Sequence, residues 1–569
     1  MKILFTSTVK PIPVFLNRFL SIDDVSYRFI VDQGPFSATA DVPSFSLHFL
    51  AQNVTCPSTV LEWPTLDELA AELKSSHYDY VAITCKVIDM DHLEGMIPLI
   101  RSVSPTTKII LGGYGTLGLG EPQFAHIGKA VDHVCGGGDG VKFLRSLLGE
   151  PTDRGIQAHL PVETIRVPWL AEVSSMLEGG VQAGYLLSAL GCIWKCEFCA
   201  TSAYTGGQTV EVMTPEEILD SMKWYYANNP TMKHVFVMDE EILLRKNKVN
   251  AIGKLIRDDK EFGLSTMTWL AFGTIKAISR WDPEELLLNG VGEVWTGVES
   301  KFSYSKKKGE ADQKDLIRNL SAVGIEPQLS WIIGDDCQNK DNIQEDVDYL
   351  ISLGPITAQL TTMLAFPGTP LFNRLKAEGR LPARHDPSEY HLFGNNMTSL
   401  HFTHEERVNT ILATYDRIYK TLGPSAMRSL GVYMNGYEFC SRSQNPFLNV
   451  DKKAFFKKKI ETGIFLIKTA IEMAPTPEVR SAMEDLQKRY ESLFGPMRKS
   501  MQYMADRALA AAQKEMDRRA REGFSTLRDV PMKRYVYAGS QMESRSAQKP
   551  PKIGMPLPVD VPVSAIGTV

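Results

Sequence analysis

Three of the eight cysteines in this 569-residue chain crowd into one short stretch, Gly191-Cys192-Ile193-Trp194-Lys195-Cys196-Glu197-Phe198-Cys199. The spacing is C-x3-C-x2-C, with an aromatic residue just before the last cysteine. Three thiolates on one tight loop can hold three irons of a four-iron cluster, which ordinarily takes four cysteine ligands. The fourth iron is then open to a small molecule. A zinc knuckle with a distant ligand and a merely buried loop are the weaker alternatives. Zinc sites pair such cysteines with a second pair or with histidines, and no second pair exists here. Cys56, Cys85, Cys135, Cys337 and Cys440 stand singly and are expected to be mostly packing residues. Cys192, Cys196 and Cys199 are therefore the expected metal ligands.

The length allows three or four domains, and a 43% hydrophobic content is enough for a sizeable core. A net charge of −5 argues against a nucleic-acid binder. No apolar run has the length of a membrane span. The first apolar run, Met1–Thr6, is too short for a signal peptide and is soon followed by Pro11 and Pro13. Unpaired cysteines beside a thiolate site fit a reducing cytoplasm.

Residues 1–150 alternate strand and helix. Apolar runs at Lys2–Ser7, Ser58–Glu62, Tyr80–Cys85, Lys108–Leu111 and His133–Cys135 have the character of buried parallel strands. Amphipathic stretches such as Thr65–Ser75 and Asp91–Val103 separate them. The pattern is that of a doubly wound Rossmann-like sheet, whose ligands bind beyond the carboxyl ends of the strands. Two of those ends are glycine turns, Gly112-Gly113-Tyr114-Gly115-Thr116 and Gly136-Gly137-Gly138-Asp139-Gly140. They are tight turns, or places where backbone approaches a ligand. The first strand leads into Thr8-Val9-Lys10-Pro11, with no dinucleotide fingerprint.

Residues 151–184 are expected to link this domain to a second one. From Tyr185 the alternation resumes, with strands expected at Tyr185–Leu190, His234–Asp239, Thr268–Gly273, Glu293–Glu299, Gln328–Gly334 and Thr357–Ala365. Thr214-Pro215-Glu216-Glu217 opens a helix between them. Six such units suit an open partial (β/α)6 barrel over 185–370, with its site at the carboxyl ends of the strands. The cysteine loop follows the first of these strands. Asp239, Glu240, Thr274, Glu299 and Ser300 fall at the same face, with Asp335 and Asp336 as further candidates. Each could equally cap a helix or pair with a neighbour.

Residues 371–535 are expected to be mainly helical. Its first part, to about 450, has a loop-rich composition. Phe456, Ile460, Ile464, Ile467 and Ile471 follow helical spacing, as do Met497, Met501, Met504 and Ala508. Residues 451–535 carry 19 Lys and Arg against 12 Asp and Glu. The expected role is a helical subdomain packed on the barrel, with peripheral contact to lipid headgroups as the alternative. A Ser-, Pro- and Gln-rich tail over 536–569 is expected to be disordered.

Together these segments resemble the cobalamin-binding (vitamin B12) radical S-adenosylmethionine (SAM) enzymes, of the class B methyltransferase type. The cysteine loop carries the superfamily resemblance. The cobalamin resemblance rests on Pro43–Ala51, Ile110-Leu111-Gly112-Gly113 with Thr116, Gly136–Asp139, Thr296-Gly297-Val298-Glu299-Ser300 and Phe366-Pro367-Gly368-Thr369-Pro370-Leu371. It covers roughly residues 1–400. It implies corrin contacts from Thr8, Thr84, Cys85, Gly112, Gly113, Tyr114, Thr116, Gly136, Gly137 and Gly138. It implies SAM contacts from Phe198, Asp239, Glu240, Glu299 and Ser300. Two departures stand out. His92-x-x-Gly95 lacks the aspartate of a cobalt-ligating D-x-H-x-x-G motif, so His92 is expected on a helix surface. Tyr114 and Gly115 stand where relatives often have a histidine before the threonine.

The resemblance implies a [4Fe-4S] cluster, SAM and cobalamin as cofactors, with a flavodoxin- or ferredoxin-like electron donor. The expected activity is a C-methyltransferase that passes a methyl group through methylcobalamin to an unactivated carbon, using a 5′-deoxyadenosyl radical. A non-methylating rearrangement, cyclisation or oxidation is the second expectation. A cobalamin or iron-sulfur sensor is the third. The Phe-, Ile- and Met-rich basic C-terminal part points to a hydrophobic, lipid-like small-molecule substrate.

Overall fold

The computed structural model describes residues 1–16, 19–20, 33–173, 181–229, 232, 234–303, 309, 311–525 and 527–539. Most of the expected disordered tail, from residue 540 on, lies outside the described residues.

The N-terminal strands are β1 (Ile3–Thr6), β2 (Ser58–Glu62), β3 (Tyr80–Thr84), β4 (Lys108–Gly112) and β5 (His133–Cys135). They are mutually parallel in the order β2-β1-β3-β4-β5. Every residue of β1 and β2 is buried, which is why these strands read as unbroken apolar runs rather than alternating ones. The helix Leu66–Ser75 starts on a Thr65 capping box with Glu68. Met90–Val103 turns Leu93, Met96, Ile97 and Ile100 into the core. The sheet order reverses direction between β1 and β3, the place where such sheets take ligands.

The barrel strands are β6 (Val181–Leu187), β7 (His234–Met238), β8 (Thr268–Phe272), β9 (Val291–Glu299), β10 (Glu326–Ile333) and β11 (Thr357–Thr362). They run parallel in chain order, β6 beside β7 and so on to β11. Five fall where the sequence places them; the first runs Val181–Leu187 instead of Tyr185–Leu190, starting inside the expected linker, and Ala189–Leu190 pairs separately with Val210–Glu211. Thr214 caps the helix Pro215–Asn228 in a full capping box with Glu217, also as expected.

Three segments depart from the expected division. Thr39–Asp41, expected in the N-terminal domain, and Glu163–Arg166, expected in a linker, pair antiparallel with each other and extend the barrel sheet beyond β6. The strand β12 (Lys533–Tyr537), placed by sequence across the end of the helical region and the start of the tail, returns to pair antiparallel with β2. Thr39–Asp41 and β12 end their sheets, with Glu163–Arg166 joining the former to β6, and each edge strand takes its partner from far along the chain. The stretch to 450 is also not loop-rich throughout. It contains the long helices His404–Leu422 and Ser425–Arg442.

The C-terminal helices, including Lys453–Gly463, Pro477–Phe494 and Lys499–Glu522, form their own core. Ile460, Ile464, Ile467 and Ala508 are buried there, with Met501 and Met504 packed against them. The apolar stripe is thus covered by protein. Among the described residues no helix is long and apolar enough to cross a membrane.

Candidate functional site

The cysteine loop leaves the first barrel strand through Gly191, whose φ of 85° is left-handed. A Cβ there would collide with the Gln208 carbonyl and the Thr205 hydroxyl, so the turn needs glycine. Lys195 also takes a positive φ, 51°, an uncommon strain for a side-chain-bearing residue. Gly207 leaves the space that the Lys195 methylenes occupy. The Cys199 amide donates to the Cys196 carbonyl at 3.1 Å. Cys199 then becomes the N-cap of the helix Ala200–Tyr204, from which Ser202 Oγ donates to the Cys192 carbonyl at 2.9 Å. The loop is thereby folded back on itself with all three thiols partly exposed.

None of the three cysteines is in a disulfide. Burial, reinforced by the charge of Glu241, pushes the Cys192 thiol up to about 12. Among the described residues no three Cys, His, Asp or Glu side chains converge on the position of a single ion. Three soft thiolates on one loop are a donor set that fits an iron-sulfur cluster held through three of its irons.

The loop is braced by the segment after the last barrel strand. The Leu371 amide donates to the Glu197 carbonyl at 2.8 Å, and Phe198 packs beside the cluster of Ile332, Met363, Leu371 and Phe372. Arg374 pairs with Glu197 and with Asp336, each at 3.0 Å. Hydrogen bonds from Arg380, with Arg374 adding, hold the Asp336 carboxyl below the usual carboxylate range. Sequence reasoning missed Arg374, although it lies just beyond the flagged Phe366–Leu371 turn.

The other candidates meet different fates. Asp239 is buried against Arg245, and its other oxygen accepts from the Glu241 amide at 3.3 Å. Glu240 sits beside Gly191, and its buried Oε2 has no hydrogen-bond partner. Burial raises its carboxyl, against backbone hydrogen bonds from its own amide and that of Gly191. Glu241, which the sequence did not single out, accepts from both the amide and the hydroxyl of Thr274 at 3.0 Å. Glu299 is buried at a φ of 60°, just where the register of β9 against β10 slips. Strain of this kind at a strand's carboxyl end is a mark of functional sites. Ser300 donates to Asp346 at 2.6 Å, in a network shared with Gln338.

The glycine turns of the N-terminal sheet lie against the barrel mouth. Gly113 has a φ of 94°, and a Cβ there would stand 2.5 Å from the Cys85 carbonyl. Thr116 donates back to the Gly113 carbonyl at 2.7 Å. Thr8 and Cys85 are buried at the ends of β1 and β3, and burial raises the Cys85 thiol. Gly136 to Gly138 follow β5. Leu117, Glu121 and Gln123 carry the contact onward. Leu117 fills the space left by Gly368, Glu121 pairs with Lys376 at 2.7 Å, and Gln123 bonds the His385 backbone at 2.6 and 2.9 Å. The structure thus brings the glycine turns and the helix that follows the cysteine loop into contact, through Tyr114 with Thr201 and through Tyr204 with the Cys135 carbonyl. His92 lies on the helix Met90–Val103, partly exposed.

No family model matches the chain. An uncharacterised methyltransferase of Pyrococcus horikoshii is 23% identical over 389 residues, 62% of this chain and 82% of the relative. The anaerobic magnesium-protoporphyrin IX monomethyl ester cyclase of Cereibacter sphaeroides is 22% identical over 62% of each chain. The hopanoid C-2 methylase of Rhodopseudomonas palustris is 25% identical over 37% of this chain and 40% of its own. Among solved structures, the radical SAM methyltransferase TsrM of Kitasatospora setae, with tryptophan bound, matches 81% of this chain and 99% of its own, at 15% identity and a TM-score of 0.49. The three-cysteine loop at the mouth of a parallel partial barrel, with an open sheet packed beside it, is thus found in a chain similar in sequence to proteins named as methyltransferases and as a cyclase.

Proposed function

We propose that the protein is a cobalamin-dependent radical SAM C-methyltransferase acting on a small molecule. The observation that carries this is the packing of the Cys192–Cys199 loop and its following helix against the glycine turns after β4 and β5. Cys192, Cys196 and Cys199 would hold the cluster, and Thr8, Thr84, Cys85, Gly112, Gly113, Tyr114, Thr116 and Gly136–Gly138 would line the corrin. Bound there, the cluster with SAM supplies a radical able to take hydrogen from an unactivated carbon, and cobalamin supplies the methyl group.

The chain's own residues position these groups and keep the site dry. Phe198 offers an apolar edge with backbone beside it. Glu240 presents an unsatisfied carboxylate oxygen to any cationic or hydroxyl group that enters. Asp239 and Ser300 act at one remove, by fixing Arg245 and the Ser300–Asp346 network. Glu299 is the other acidic candidate for SAM.

The named activities of the methyltransferase and hopanoid methylase relatives support the methyl-transfer reading, the latter over less than half its length. The hopanoid methylase also supports an apolar, lipid-like substrate. The cyclase relative supports a second reading, a radical cyclisation with no methyl transfer. An electron donor such as a flavodoxin or ferredoxin completes the scheme. Membrane contact would fall to exposed lysines such as Lys457 and Lys458, since the apolar helix faces are packed.

One assay separates the readings without knowing the substrate. Reduced, cluster-loaded protein is given SAM with and without cobalamin, and the nucleoside products are counted. Methyl transfer predicts S-adenosylhomocysteine only when cobalamin is present. Deoxyadenosine alone under both conditions favours the non-methylating reading, and no SAM cleavage at all removes both.

A further inference from the structure

We propose that the five-residue helix Ala200–Tyr204 couples the two cofactor sites, so that building the cluster tightens cobalamin binding, with Tyr204 and Tyr114 as the positioning residues. This rests on the functional reading above and adds a regulation to it.

One turn of helix is too short to hold its shape alone. Its order therefore comes from what it touches. On the cysteine side, Cys199 is its N-cap and makes no side-chain cap bond, so the thiol is free for iron. Ser202 ties the same helix to the Cys192 carbonyl at 2.9 Å. Two of the three cluster ligands thus abut this helix.

The other face meets the sheet. Thr201 Oγ1 lies 3.3 Å from Tyr114 Oη. The Tyr204 ring packs edge-on against Tyr114, with centroids 4.9 Å apart. Tyr204 Oη donates to the Cys135 carbonyl at 3.0 Å. The Tyr204 carbonyl occupies the space a side chain at Gly137 would need. Tyr114 follows Gly113, which is itself pressed onto the Cys85 carbonyl. One short helix therefore touches the turns after β4 and β5 directly, and the turn after β3 through Gly113.

Iron on Cys192 and Cys199 would restrain both anchor points of this helix. The restrained helix then holds the glycine turns in one arrangement, and cobalamin no longer has to order them. Ligands that order a shared element bind with positive coupling. Such coupling is reciprocal, so cobalamin must favour the assembled cluster by the same factor.

The test is a titration with hydroxocobalamin, followed by its visible spectrum, on cluster-loaded and on chelator-stripped protein. The wild type is expected to bind cobalamin about five- to a hundredfold tighter when the cluster is present. In Tyr204→Phe, which loses the bond to Cys135 but keeps the ring, the ratio should fall toward one, with the stripped-protein affinity unchanged. Tyr114→Phe, which loses the hydroxyl contact to Thr201, should give a smaller fall, and melting temperatures check that both variants fold. Equal affinity with and without the cluster in the wild type overturns the coupling alone. So does a ratio that survives in a Tyr204→Phe/Tyr114→Phe double variant. No cobalamin binding in either form overturns the functional reading as well.

Discussion

The two ends of the barrel both bury carboxylates, and they treat them differently. At the amino end, Glu326 accepts hydroxyl hydrogen bonds at both oxygens, from Ser429 and from Tyr433 at 2.6 Å. Its strand neighbour Glu293 faces His234 at 3.0 Å, and His234 bonds Thr268 at 3.0 Å. Lys459 lies half-buried beside both glutamates. At the carboxyl end, Glu240 keeps an unpaired oxygen, Glu299 sits in a strained conformation, and Lys195 and Gly191 bend the cysteine loop through left-handed backbone. A network satisfied by its own side chains has nothing left for a ligand. The amino end has orphans of its own, Thr357 Oγ1 and, beyond its contact with Glu293, His234 Nε2. Among the described residues, though, only at the carboxyl end does an orphan oxygen coincide with left-handed backbone in a strand end and in the cysteine loop. The contrast marks the amino end as a seam between barrel and C-terminal helices, and the carboxyl end as the working face.

The largest expected effect comes from removing a cluster ligand. Cys196→Ala should abolish the cluster spectrum and SAM cleavage, yet change the stability of the cluster-free protein by less than about 0.5 kcal/mol. A large stability loss would mean the loop is structural. Gly191→Ala should be smaller but double-edged. It should cost about 1–3 kcal/mol of stability, measured by denaturant titration, and lower cluster yield together with it. Unchanged yield would separate the turn from the site.

The amino end yields a pH test. Burial, with Glu293 adding, lifts the Glu326 carboxyl to about 7, above its ordinary 4.5. A raised carboxyl is neutral in the fold at low pH, so its penalty is absent below about 4.5 and grows as pH rises to about 7. Lys459, His234 and Tyr433 face the same group. Glu326→Gln should therefore match the wild type at pH 4 and exceed it by about 1–3 kcal/mol at pH 8, read from melting curves. Equal stability at both pH values would break the contrast from this side. Glu240→Gln should change stability least, gaining slightly above neutral pH because its carboxyl is also raised by burial. It should nonetheless weaken SAM binding about tenfold, measured by equilibrium dialysis. A stability gain with no loss of SAM affinity would make Glu240 an ordinary buried acid.

What the sequence made legible follows from local physics. Strands such as β1, β2 and β8 announce themselves because they are buried on both faces and read as nearly unbroken apolar runs. The cysteine loop is legible because cluster ligation is a matter of spacing. Long-range choices are not local. Nothing in Thr39–Asp41 says that it will pair with Glu163–Arg166, and nothing in Lys533–Tyr537 says that it will find β2. The same holds within the site. The sequence left Asp239 open between a site acid and an ion-pair partner, and it is held by Arg245, while Ser300 is committed to Asp346. By contrast, Val408, Ile411, Tyr415 and Ile418, buried at helical spacing, were a readable signal for the helix His404–Leu422 that composition obscured.

The most direct test of the account is a count of cofactors. The protein is reconstituted anaerobically with iron, sulfide and hydroxocobalamin, passed through gel filtration, and assayed for both metals. The account predicts roughly four irons and one cobalamin retained per chain. Iron retained in a cluster while cobalamin elutes free would contradict it.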